Sequence, residues 1–205
     1  MFQTLCRWPS FMSAKSGGQR ETTASASVSE IRSTVRSVFL VGFMGAGKSS
    51  VGLALSRKLG WPFEDLDERI QVQERRSIEQ IFEQSGEAAF RQIEHAALRS
   101  LIQELGASPR VVAVGGGAFA QANNAALLEE AGFPAIFLDA PVEELFRRCQ
   151  EQQVERPLRR DLDEFRRLYA SRRPCYLKAA VHIETGDKNI ESVAAEAIRS
   201  LGLTR

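Results

Sequence analysis

Apolar residues along this chain come in short blocks, and the spacing inside the blocks changes from one to the next. The unbroken apolar run at 38–41 predicts a strand buried on both faces. Val51, Leu55 and Leu59 recur at helical spacing and predict a helix over 49–59, which Gly60, Trp61 and Pro62 end. A short extended segment is expected at 63–66. Ser77 with Gln80 three residues later has the form of a capping box, opening a helix that buries Ile78, Ile81 and Phe82. After Ser85 and Gly86 a second helix is expected to about residue 103, with Phe90, Ile93, Ala97 and Leu101 at core spacing. Further strands are predicted at 111–114, 135–138 and 181–184. Pro141 suits the first turn of the helix after the second of these, and a helix over 190–201 closes the chain. Strands separated by helices predict an α/β domain over 37–205, with a central parallel sheet of about five strands covered on both faces. Ligands of such sheets bind beyond the carboxyl ends of the strands.

Residues 1–36 break this rhythm. Ser, Thr, Gly and Gln dominate from Ser10 onward, and neither a helical nor a strand period survives. Arg7, Lys15, Arg20, Arg32 and Arg36 outnumber Glu21 and Glu30, a balance found in organelle transit peptides. A disordered tail, or a start assigned too early with Met12 as internal initiator, explains the same composition and is the favoured expectation.

Composition narrows the function classes. A chain of 205 residues, 43% of them hydrophobic, buries a full core without disulfides or metal clips. The formal net charge is +1, so no global basic field points to nucleic acid or an anionic membrane. Cys6, Cys149 and Cys175 are scattered and form no C-x-x-C, which favours reduced thiols in a cytoplasmic setting. No apolar stretch approaches the ~20 residues that span a bilayer. With no dimer-forming stripe evident, a monomer is expected.

The chemistry concentrates at 42–49, where Gly-Phe-Met-Gly-Ala-Gly-Lys-Ser completes the phosphate-loop pattern G-x-x-x-x-G-K-[ST] between a predicted strand and a predicted helix. Glycines let the backbone wrap close enough for several N–H groups to face one phosphate chain, and the following helix adds its partial positive charge. Lys48 then reaches the β- and γ-phosphates, and Ser49 offers a hydroxyl to Mg²⁺. The pattern predicts a nucleoside triphosphate site.

Other polar residues take meaning from the strand ends. Asp65 and Asp67 lie two apart at the end of the second strand, so an extended backbone points both to one face, suited to metal handling and proton abstraction. An acidic helix start explains the pair equally well. Asp139 ends an apolar strand and has two readings: a second nucleotide-site aspartate, or, as the favoured one, a cap for the next helix. Arg91 and Glu94 are spaced for an ion pair on one helix face. Three glycines directly after a buried strand, Gly115, Gly116 and Gly117, suggest close approach of a ligand. His95 and His182 stand apart without ligand spacing.

The ordered set Phe63-x-Asp65-x-Asp67, Ser85-Gly86-Glu87-x-x-Phe90-Arg91-x-x-Glu94, Gly115-Gly116-Gly117, Arg156-Pro157-Leu158 and Arg172-x-Pro174-x-Tyr176 accompanies the phosphate loop. With it, the chain from about Val38 onward resembles shikimate kinase, a small P-loop kinase of aromatic amino-acid biosynthesis. The resemblance implies a P-loop kinase fold with a mobile lid, and ATP-dependent phosphorylation of the shikimate 3-hydroxyl with Mg²⁺. It implies that Gly45, Ala46, Gly47, Lys48, Ser49 and Ser50 hold the ATP phosphates, with Ser49 on the metal and Asp65 helping to place it. Asp67 would contact the reacting hydroxyl as base. Arg91 and Arg172 would grip the shikimate carboxylate, with backbone contacts from Gly115, Gly116 and Gly117. Arg148 would lie against adenine, and Arg156 would close over the phosphates from a lid at 150–163. Arg159 and Ile190 depart from the residues common in the family at those places, which bears on the lid and on adenine. Shikimate itself, a small polar anion, needs fixed positive charge, and Arg supplies a planar fork for a carboxylate.

The alternatives are another small-molecule kinase such as a gluconate kinase, or a catalytically silent nucleotide-binding module. A GTP-driven switch would carry Asn-Lys-x-Asp, which is missing from this sequence.

Overall fold

The computed structural model describes residues 35–105, 108–151 and 161–203. Nearly all of the segment expected as a tail, and the lid residues 152–160 with Arg156 and Arg159, lie outside the described residues. Val35, placed in the tail by the sequence, already packs against the core.

Five parallel strands form one sheet in the order β2-β3-β1-β4-β5. They are β1 (Ser37–Val41), β2 (Phe63–Asp65), β3 (Arg110–Ala113), β4 (Ala135–Asp139) and β5 (Val181–Glu184). Helices α1 (Lys48–Leu59), α2 (Leu66–Glu74), α3 (Ile78–Glu104), α4 (Ala122–Glu130), α5 (Val142–Glu151), α6 (Leu162–Tyr176) and α7 (Ile190–Ser200) connect and flank them. The strands β1 and β4 are buried along their whole length, as their unbroken apolar runs require of central parallel strands. Val38, Phe39, Leu40, Val111, Val112, Ile136 and Phe137 form the centre of the core.

Two local signals act as expected. Ser77 accepts from the Gln80 N–H while the Gln80 side chain accepts from the Ser77 N–H, a complete capping box, of the kind worth ~1 kcal/mol. Gly86, with φ 78° and ψ 171°, breaks the helical conformation inside α3, where the sequence placed the boundary between two helices.

Three expectations change. Phe82 is not core: it is 37% exposed, with its ring against Phe90 at 4.6 Å between centroids. β2 stops at Asp65 and Leu66 already begins α2 with Asp67 and Glu68 in its first turn, so of the two readings of Asp65 and Asp67 the acidic helix start holds and the shared strand face does not. Asp65 is instead the N-cap, accepting from the Asp67 N–H at 3.0 Å. Asp139 caps no helix. Its carboxylate is buried and accepts from the Ala140 N–H, the Tyr169 hydroxyl and the Arg173 guanidinium, so partners distant in sequence outcompete the local helix end.

Candidate active site

The phosphate loop lies between the end of β1 and the start of α1. Gly47 is the N-cap of α1 with φ 85°, a left-handed conformation that favours glycine and that lets Lys48 start the helix. The Lys48 ammonium donates to the carbonyls of Gly42 at 3.0 Å and Phe43 at 3.1 Å, so it lies over the loop. The Ser49 hydroxyl donates to Asp65 Oδ2 at 2.9 Å. The two residues assigned to a metal from the sequence are therefore together, one from each of two elements. Ser50 is exposed one position further along α1, and Gly45 and Ala46 complete the loop. Gly45 presses on α5, where an added Cβ would stand 2.5 Å from the Leu145 carbonyl oxygen and 3.0 Å from Cys149 Sγ.

A second cluster forms around the glycine triplet after β3. Glu94 is 1% exposed and pairs with Arg91 at 2.8 Å, while Glu87 takes the other arm of the guanidinium at 3.0 Å. A Cβ at Gly117 would lie 2.6 Å from Arg91 Nη2, and one at Gly115 would lie 2.6 Å from Asp67 Oδ1 and 3.2 Å from Glu94 Oε1. The missing side chains of the triplet thus make the space in which Asp67, Arg91 and Glu94 meet. The middle residue faces the phosphate loop: its Cβ position is 3.5 Å from the Met44 nitrogen and 3.6 Å from the Gly42 oxygen. On its other side the Tyr176 hydroxyl donates to the Gly116 carbonyl.

Electrostatics within the cluster follow from burial and charge. Burial pushes the Glu94 carboxyl above its ordinary range; Arg91 opposes this, the Asp67 charge adds to it, and Arg172 opposes it in turn. Burial works against the Arg91 charge, yet Glu94 and Glu87 outweigh it and hold the guanidinium charged. Burial also raises the Tyr176 phenol, with Arg172 acting against it. Arg172 is thereby in electrostatic reach of both Glu94 and Tyr176, and its guanidinium lies 5.9 Å from the centroid of the Phe43 ring. The Arg91 Nε is buried without a hydrogen-bond partner.

Arg148 is on α5, away from the triplet. It donates to Glu144 at 2.8 Å, to the Thr185 hydroxyl at 3.3 Å, and to the carbonyls of Thr185 at 2.9 Å and Gly186 at 3.1 Å. These bonds use the edges of the guanidinium plane and leave its faces, the surfaces that stack on a planar ring. A cleft of about 510 Å³ opens beside this loop, lined by Pro141, Glu144, Arg147, Glu184 and Lys188 among others. It contains no phosphate-loop residue.

A further group that has metal-ligand chemistry, Asp139 with His182 and Glu184, gathers within 4.8 Å on β4 and β5. Arg173 donates to the same Asp139 oxygen at 3.0 Å, so a guanidinium already holds the position a cation would need. Ser49 with Asp65, hard oxygen donors beside the phosphate loop, fit Mg²⁺ better.

Sequence reasoning missed three residues that shape the site: Phe43, buried inside the loop motif, and Tyr169 and Arg173 on α6. Phe43 packs edge-on against Phe165 and Tyr169, at 4.9 and 5.5 Å between centroids. The spacing of Tyr169 and Arg173, one helical turn apart, was the available signal.

Known proteins resemble this chain over most of its length. The sequence model of the family described as shikimate kinase matches residues 44–202. A shikimate kinase of Aquifex aeolicus is 41% identical over 164 residues, covering 80% of this chain and 95% of that protein. One of Caulobacter vibrioides is 43% identical over 166 residues, covering 80% of each. Among solved structures, the Aquifex aeolicus shikimate kinase superposes with a TM-score of 0.71 at 40% identity, over 80% of this chain and 95% of that one. Shikimate kinase from Acinetobacter baumannii in complex with shikimate gives 0.71 at 33% identity, over 83% and 95%. A gluconokinase from Sinorhizobium meliloti, at 21% identity and a TM-score of 0.52, shares the fold. With a matching model over most of its length and relatives this similar, the chain belongs to the shikimate kinase family.

Proposed function

We propose that the protein transfers the γ-phosphoryl group of ATP to the 3-hydroxyl of shikimate, giving shikimate 3-phosphate and ADP. The observation that carries this reading is the cluster of Asp67, Arg91 and Glu94 packed on the glycine triplet, whose middle residue faces the phosphate loop. Family membership and the shikimate complex of the Acinetobacter baumannii enzyme support the acceptor.

In this reading the backbone of Gly45, Ala46, Gly47, Lys48, Ser49 and Ser50 holds the ATP phosphates, and the Lys48 ammonium leaves the loop carbonyls for the β/γ oxygens. Arg148 offers a guanidinium face to adenine, and Arg156, outside the described residues, covers the phosphates. Arg91 and Arg172 fork onto the acceptor carboxylate, with Glu94 fixing the plane of Arg91. Gly115, Gly116 and Gly117 offer main chain rather than side chains to the acceptor.

Asp67 accepts the hydroxyl proton as the oxygen attacks the γ-phosphorus and the bond to the ADP oxygen breaks. Lys48 and Arg156 offset the charge that spreads over the transferred group, so positioning and electrostatics do the work, with no covalent enzyme intermediate. Ser49 directly and Asp65 through water would hold Mg²⁺, which supplies charge neutralisation on the β/γ oxygens.

Residues 1–36 as a tail preceding one catalytic domain, action as a monomer in the cytoplasm, and no nucleic-acid or membrane partner belong to the same reading. Among the described residues no helix is long and apolar enough to cross a membrane.

The test is coupled ADP release with Mg-ATP and shikimate, gluconate or no acceptor, with Lys48→Ala as control. Shikimate-dependent turnover lost in the control is expected. Turnover with gluconate alone overturns the acceptor, and none with either overturns the enzyme.

A further inference from the structure

Asp139 ends β4, the strand beside β1 in the sheet, and is 2% exposed. A buried carboxylate is costly unless donors surround it. Here Oδ1 accepts from the Ala140 N–H at 3.0 Å and the Tyr169 hydroxyl at 2.6 Å, and Oδ2 accepts from Arg173 Nε at 3.1 Å and Nη2 at 3.0 Å. His182 Nε2 stands 3.3 Å from Oδ2. Arg173 Nε also donates to the Tyr169 oxygen at 3.0 Å, which closes a triangle of three side chains. Both oxygens are thus committed to protein donors.

Two corners of the triangle, Tyr169 and Arg173, are one turn apart on α6. The adjacent stripe of the same helix carries Arg172 and Tyr176, which face Phe43 and Gly116. The other contacts of α6 with the phosphate loop are ring edges, Phe165 and Tyr169 against Phe43. Apolar ring contacts are weakly directional, and a helix held by them alone has freedom to roll about its axis. The Tyr176 bond to Gly116 and the exposed Arg166–Glu143 pair also oppose such a roll, and because hydrogen bonds to a buried charge are directional and strong, the triangle adds the buried restraint.

We propose that Asp139 is a positioning residue: through Tyr169 and Arg173 it sets the rotation of α6, and so places Arg172 and Tyr176 at the acceptor pocket. This rests on the reading of that pocket as the shikimate site. Asp139 occupies the strand-end position where a nucleotide-side aspartate was one expectation from the sequence, and its commitment is to the acceptor side instead.

Tyr169→Phe tests this with little disturbance, since it removes one hydroxyl and keeps the ring on Phe43. Steady-state kinetics with each substrate varied, and thermal melting, are measured for wild type, Tyr169→Phe, Asp139→Asn, Arg172→Ala and the Tyr169→Phe/Arg172→Ala pair. Expected is a rise in shikimate KM of about 3- to 10-fold in Tyr169→Phe, with kcat and ATP KM within about two-fold. Asp139→Asn should raise it further. In the Arg172→Ala background, Tyr169→Phe should add less than about two-fold, because the charged one of the two residues through which it acts is gone. A lowered melting temperature with unchanged shikimate KM overturns the proposal, as does an equal effect of Tyr169→Phe with and without Arg172. If Asp139→Asn fails to fold, Tyr169→Phe and the pair decide alone. A wild type without shikimate-dependent turnover overturns the functional reading; an active wild type with an unaltered Tyr169→Phe overturns only this inference.

Discussion

Gly117 and Arg91 occupy one space: a Cβ on the glycine would stand 2.6 Å from one guanidinium nitrogen and 2.7 Å from the other. Gly115 is related to Asp67 in the same way, whereas the space beside Gly116 accepts a methyl group at ordinary contact distance. Alanine scanning of the triplet should therefore be uneven. Gly117→Ala should raise shikimate KM at least about ten-fold, since Arg91 must leave the carboxylate fork. Gly115→Ala should lower kcat, because Asp67 is displaced. Gly116→Ala should be the mildest of the three. Equal losses at all three positions would contradict the geometry.

The Glu94 carboxyl, raised above its ordinary range chiefly by burial, gives a signed pH dependence. Between the unfolded value, about 4.3, and the higher folded one, the native state binds more protons than the unfolded state. Stability from this group is therefore fully present below the unfolded value and is lost as pH rises through the folded one. Urea unfolding of wild type and Glu94→Gln should show their difference moving in favour of wild type as pH falls from neutral, then levelling off. Kinetics should move oppositely: shikimate KM of the wild type should rise on acidification as Glu94 lets go of Arg91. Glu94→Gln should flatten that rise.

Lys48 donates to two loop carbonyls, and its reassignment to phosphate oxygens is central to the proposed transfer. Lys48→Ala should lower kcat on the order of 10²–10³-fold, the loss typical of one charge-stabilising donor, with shikimate affinity by calorimetry nearly unchanged.

Gly52 tests packing apart from chemistry. A Cβ there would overlap the Phe63 ring. Overpacking costs ~1–3 kcal/mol, against ~1 kcal/mol returned by better helix propensity. Gly52→Ala should lose up to about 2 kcal/mol in urea unfolding while keeping KM for both substrates.

What the sequence made legible was mostly local. The capping box of Ser77 and Gln80, the break at Gly86 and the pairing of Arg91 with Glu94 each need only three or four residues of context. The strand-helix rhythm needs only periodicity, and it predicted an α/β sheet of about five parallel strands. Sequence spacing failed where a distant partner decides. Local spacing favours Asp139 as a helix cap over a nucleotide-site aspartate, and neither holds because its partners Tyr169 and Arg173 lie about thirty residues further along. For Asp65 and Asp67 the local pattern leaves a strand face and an acidic helix start equally open, and only the fold decides for the helix, which begins at Leu66. Phe43 was hidden inside a motif whose intervening positions accept any residue. Ser49 and Asp65 are both expected at a metal, Ser49 from the phosphate loop and Asp65 from its strand end and the family resemblance, and the two side chains do meet.

At Gly42, Gly115 and Gly117 the chain presents bare peptide, and a side chain there would meet the Leu138 carbonyl, Asp67 and Arg91 respectively. Peptide atoms are the same whatever the sequence. An inhibitor that read only these surfaces would press on a part of the enzyme that point mutation cannot reshape without also disturbing Asp67, Arg91 or the Leu138 carbonyl. Resistance would then have to arise among neighbouring side chains such as Arg91, Arg172 or Glu87, which the proposed acceptor site also needs.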